Sequence, residues 1–164
     1  MVSCFGSAYH VYALAFSPDG TLLASGGRGA VKLWGATGRL LLGLNLGDRL
    51  TGLAFAADGK GLVASSLTSR VTLLDLEAGQ GVLTLHCLPT SIGRVCFSAD
   101  GKRIAAVAHD WHVAAWEGDS GWLLFHTHGP RGGTADNAGL AVSQDGRFLA
   151  VSAGKGVHRP VVRP

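Results

Sequence analysis

Phe16-Ser17-Pro18-Asp19-Gly20-Thr21-Leu22-Leu23-Ala24-Ser25-Gly26, followed after a glycine-rich turn by Val31-Lys32-Leu33-Trp34, is the stretch that decides the fold. Its opening recurs as Phe55-Ala56-Ala57-Asp58-Gly59, Phe97-Ser98-Ala99-Asp100-Gly101 and Val142-Ser143-Gln144-Asp145-Gly146, at intervals of 39, 42 and 45 residues. Its close recurs in step, as Val71-Thr72-Leu73-Leu74 and Val113-Ala114-Ala115-Trp116, at intervals of 40 and 42. Two motifs that hold a common phase describe an internal repeat of about 41 residues.

Each unit reads as short strands. In the first, residues 11–16 lead into the Asp-Gly turn, 22–26 follow, 30–34 run back, and 40–46 form a fourth apolar run. Asp-Gly suits the joints because Gly takes positive φ cheaply and the Asp side chain can bond nearby backbone. No segment sustains a 3.6-residue apolar period with caps, so no helix is expected. Four strands in some 40 residues cannot bury both faces alone, and neighbouring units must stack.

The motif and its spacing resemble the WD repeat, over nearly the whole chain. The resemblance implies an all-β propeller of four-stranded antiparallel blades, here an open arc of about 3.5–4 blades. The blades would lie at approximately 8–46, 47–87, 88–128 and 129–164, the last incomplete because Pro160 and Pro164 leave its tail a poor third strand. Trp34 and Trp116 are expected to be buried between blades. No unit carries the whole Asp–His–Ser/Thr–Trp network of a well-formed repeat. Unit one has Ser25 and Trp34 but Gly35 where Asp would stand; unit two has Ser65 and Asp75 but Leu74 for Trp; unit three has Trp116 but Ala106 for Ser. An incomplete network implies lower stability.

The chain of 164 residues is 47% hydrophobic and 15% charged, which excludes disorder and suits one domain. Its net charge of +3 is scattered without basic runs, so no nucleic-acid partner is expected. Three cysteines, Cys4, Cys87 and Cys96, at irregular spacing point to a reducing compartment, with Cys96 a small core residue. The first residues lack the pattern of a signal peptide, and no window reaches the roughly 18 apolar residues of a membrane span. These readings predict a cytoplasmic or nuclear protein without a membrane partner.

No nucleophile elbow, phosphate loop or full ligand set appears, so no catalytic residue, metal or cofactor is expected. His109-Asp110-Trp111-His112 and the pair His126 and His128 lack a third and fourth ligand at a recognisable spacing. The resemblance implies instead a protein-interaction scaffold with no chemistry of its own. Its partner-binding residues would lie in the turns between second and third strands and in the linkers between blades: Arg28, Arg49, Arg70, His109, Asp110, Trp111, His112 and Arg131. Arg and Trp dominate interface energetics; Trp111 either packs locally, which the usual burial of Trp favours, or waits for a partner. The alternative is a propeller with a small-ligand, metal or enzymatic site at its central channel. Four blades would each have to turn about 90°, against roughly 45–51° in rings of seven or eight, so closure is expected to need a homodimer forming an eight-blade ring or further blades missing from this sequence.

Overall fold

The structure, a computed structural model, describes residues 10–86, 88–129, 139–153 and 156–158. These form thirteen strands and no helix: β1 (Val11–Phe16), β2 (Leu22–Gly35), β3 (Leu40–Phe55), β4 (Gly61–Ser66), β5 (Val71–Asp75), β6 (Gln80–Leu85), β7 (Ile92–Phe97), β8 (Arg103–Ala108), β9 (His112–Glu117), β10 (Leu123–His128), β11 (Leu140–Val142), β12 (Leu149–Ala153) and β13 (Gly156–His158). All pairing is antiparallel, in one ladder from β1 to β6, a second of β7 to β10, and a third of β11 to β13.

The long strands β2 and β3 differ from the expected breaks at 26–30 and after 46. Each holds two blade strands. The Trp34 indole N–H donates to Ser25 Oγ at 2.8 Å. Nine residues of straight strand would span about 30 Å, so β2 must fold back between them. It reverses beside Gly29, whose φ of +81° only glycine adopts cheaply. In β3, residues 40–49 pair with β2 and residues 50–55 pair with β4. The six-stranded ladder is therefore two blades joined without a break.

Strand alternation sorts the core into three layers. Val31, Leu33 and Ala24 of the first blade meet Leu50, Leu62 and Leu74 of the second. Val63, Val71 and Leu85 of the second meet Ile92, Ile104 and Trp116 of the third. Ala105, Val107 and Val113 of the third meet Leu149 and Val151 of the fourth, with Leu140 and Val142 packed alongside. The innermost strands β1, β3, β7 and β11 are successive neighbours, as in an arc of propeller blades. Within the fourth blade, among the described residues, Gly156–His158 form β13 as a third strand beside β12.

Two expectations need correction. Trp116 lies between blades at 2% exposure, but Trp34, though buried, stands outside the three layers. It is out of phase with Val31 and Leu33, so it turns away from blade two. Ser65 is likewise not the counterpart of Ser25. Pairing places Ser25 opposite Leu14, Ala64 opposite Leu53 and Ala106 opposite Val95. Ser65 instead shares a 3.0 Å bond with Thr51 Oγ1.

Candidate functional site

The antiparallel blades present two rims of turns. On one rim lie the Asp-Gly turns, built almost identically. The glycines have φ of +71°, +73°, +72° and +68° at Gly20, Gly59, Gly101 and Gly146. Their N–H groups donate to the carbonyls of Ser17, Ala56, Ser98 and Ser143. Ser17, Ser98 and Ser143 each donate a hydroxyl to the turn's own Asp, at 2.6, 2.5 and 2.6 Å. These hydroxyls, joined by the N–H groups of Thr21, Lys102 and Arg147, hold Asp19, Asp100 and Asp145 below the usual carboxylate range.

The residues singled out from sequence lie at the opposite rim, except Arg131, which falls outside the described residues. Arg28 and Arg49 are paired across β2 and β3, and both are exposed. Arg49 lays its guanidinium 4.1 Å from the centre of the Tyr12 ring, and its carbonyl accepts the Leu67 N–H at 3.0 Å. Asp48 accepts from both the N–H and the hydroxyl of Thr68. The linker between blades one and two is thereby tied to the turn 67–70, at whose end Arg70 is exposed. In the next blade His109 N–H donates to Ser91 O at 2.9 Å, which ties turn to linker again. Among the described residues, then, Arg28, Arg49 and Arg70 are brought to one edge, and His109, Asp110 and His112 occupy the same position one blade on.

Trp111 differs. It is 5% exposed, packed with Val107, Val113 and Val151 between blades three and four. It takes φ of +70°, the place held by Gly29 in blade one and by Ser69 (+63°) in blade two. Of its two sequence readings, the local packing is what the structure has. The indole fills the core beneath the rim and is not itself a contact surface.

The WD domain, G-beta repeat family model matches residues 2–35. The chain is 30% identical over 122 residues to WD repeat-containing protein SL1-17 of Schistosoma mansoni, covering 73% of this chain and 40% of that protein. It is 31% identical over 122 residues to small ribosomal subunit protein RACK1 of Neurospora crassa, and 32% identical over 123 to cross-pathway control WD-repeat protein 2 of Flammulina velutipes. Each of those alignments covers 68% of this chain, and 38% and 39% of the respective relatives. This chain belongs to the WD-repeat family. It spans about two fifths of the length of the curated relatives it matches.

Within this WD-repeat arc the histidines assemble in a way their spacing hid. His112 Nδ1 lies 2.8 Å from His126 Nε2, the two rings are stacked at 4.9 Å, and His128 meets His112 edge-on at 4.5 Å. Asp110 Oδ2 is 3.8 Å from His112 Nε2. The register that pairs His112 with His128 creates the group, and only strand pairing could reveal it. It sits on the outer strands β9 and β10, not on the inner strands. Among the described residues no group of three or more His, Cys, Asp or Glu is placed to hold a metal ion, and no helix is long and apolar enough to cross a membrane. Tyr12, under Arg49, was also missed. Its one signal was an aromatic residue standing just inside the first strand.

Proposed function

We propose that this WD-repeat chain is a protein-interaction scaffold of the cytoplasm or nucleus, with no chemistry of its own, that holds acidic segments of partner proteins against the rim of Arg28, Arg49 and Arg70. The observation that carries the reading is the strand pairing of Arg28 with Arg49 together with the bond from the Arg49 linker to the turn that ends at Arg70, which places three exposed arginines along one edge. Guanidinium pairs with carboxylate in two parallel hydrogen bonds, a geometry that discriminates as well as attracts. Tyr12 stiffens Arg49 by cation–π contact, which reduces the ordering cost of binding. The test is fluorescence anisotropy with a labelled ten-residue Glu- and Leu-containing probe. Arg49→Glu and Arg70→Glu should each weaken binding about tenfold, in the range of interface arginines. Unchanged affinity in both variants would refute the assignment.

A second reading concerns the ring. We infer that a further blade covers the outer face of blade one, contributed by a second copy of the chain or by more blades of a longer one. Leu14 and Phe16 are 63% and 69% exposed, whereas their counterparts Leu53, Phe55, Val95 and Phe97 all pack against the preceding blade. A face of that kind marks an interaction site. Light scattering decides: a 16.9 kDa monomer that unfolds in one cooperative step would refute it.

A further inference from the structure

The rim opposite the arginines holds a cleft between blades two and three, of about 510 Å³, floored by Ala56, Leu73 and Phe97. Its mouth carries Asp58, Asp75, Glu77, Asp100 and Asp119 against Lys60 and Lys102. Five of the eleven acidic residues of the chain thus line one opening, whose formal charge is 2 − 5 = −3 in a molecule of net +3. Lys60 is already matched by Glu77, 2.9 Å away. A second cleft of about 340 Å³, between blades one and two, continues from it, sharing Asp58, Lys60 and Glu77 and adding Asp19.

Three of the five carboxylates are held in place by backbone N–H groups. Asp58 Oδ1 accepts the Lys60 N–H, Asp75 Oδ1 accepts those of Glu77 and Ala78, and Asp100 Oδ1 accepts that of Lys102. Each of these bonds ends on Oδ1, so Oδ2 takes none of them. Turn-capping accounts for the aspartates individually. It does not account for their convergence around an apolar opening, which arises because stacking sets the Asp-Gly turn of blade three beside the turn after β5 of blade two. Fixed charges around a preformed cleft spare a ligand the cost of ordering them.

We propose that this cleft docks a basic segment of a partner protein, one apolar side chain resting on Leu73 and Phe97 between flanking Lys or Arg residues. The proposal rests on the scaffold reading only in taking the ligand to be a protein, and it concerns the opposite face. Charge complementarity selects the occupant: an acidic segment would meet four carboxylates that, among the described residues, no lysine matches at bonding distance.

The test uses the whole 164-residue chain and two labelled ten-residue probes, one alternating Lys, Leu and Arg, the other with Glu in place of the basic residues. The basic probe should bind one to one, and weaken roughly tenfold between low and physiological salt as screening grows. Glu77→Gln and Asp119→Asn should each weaken it about two- to fivefold, the scale of exposed charge pairs, and Lys102→Glu should tighten it by a similar factor. Arg49→Glu and Arg70→Glu should leave the basic probe unaffected, so failure of the arginine rim and failure of the cleft are separate results. No binding of the basic probe, equal binding of the acidic one at the cleft, or indifference to all three cleft variants would overturn the proposal.

Discussion

Replacing Trp116 by alanine probes the stacking that defines the fold. The indole is 2% exposed and packs among Val63, Val71, Leu85 and Ile104, joining blade three to blade two. Truncation returns on the order of 150 Å² of apolar surface to a void, about 4 kcal/mol at ~25 cal/mol per Å². Core Trp and Phe truncations measure about 3–5 kcal/mol once partial collapse is included. Domains carry only about 5–15 kcal/mol in all, so the variant should sit near the edge of folding. With a urea slope of about 2 kcal/mol per molar, the midpoint should fall by about 1.5–2.5 M. Hydrogen exchange should localise the damage: amides of β4, β5, β8 and β9 should lose protection before those of β2, whose contact with blade two uses another layer. A midpoint that moved by less than about 0.5 M at constant slope would show that the indole does not cement these blades.

Lowering the pH should destabilise the protein through Asp19, Asp100 and Asp145. Their folded pKa values lie below the unfolded ones, so their stabilisation is complete above the unfolded value of about 4 and is lost as pH falls through the folded values; urea midpoints at pH 7, 5 and 3.5 should show this, with a shallower acid slope in Ser98→Ala. Ser69→Gly should stabilise by about 0.5 kcal/mol, since relief of a left-handed residue worth ~1–2 kcal/mol exceeds the added freedom of the unfolded chain; a lower melting temperature would contradict the strain at φ +63°. Gly121→Ala should destabilise by at least about 2 kcal/mol, because a Cβ there would lie 2.1 Å from Leu83 Cδ2 and 2.6 Å from Leu85 Cδ2 at a φ of +68°; an unchanged melting temperature would show that blade three's turn does not press on β6. The Cys96 thiol, pushed up to about 12 by burial, should resist alkylation at pH 8 in the folded chain, as peptide mapping by mass spectrometry would show.

The repeat, its strand order and the Asp-Gly turns were determined by the sequence alone. Those features are local: alternation, turn chemistry and spacing act within a few residues, so Phe16, Asp19, Gly20 and Trp34 speak for their own surroundings. The tertiary structure decided what depends on partners distant in the chain. Trp111 sits in a polar turn by sequence, yet a left-handed backbone rotates it into the layer between blades three and four. Trp34 and Trp116 share a motif position and a facing direction, but only Trp116 has a described blade before it to pack against. The histidine group and the acidic cleft are likewise invisible in the linear order. One comes from the pairing of His112 with His128, the other from blades that bring Asp75 and Asp100 to one opening. Pattern fixes which way a side chain points along its strand; only stacking settles what it meets there.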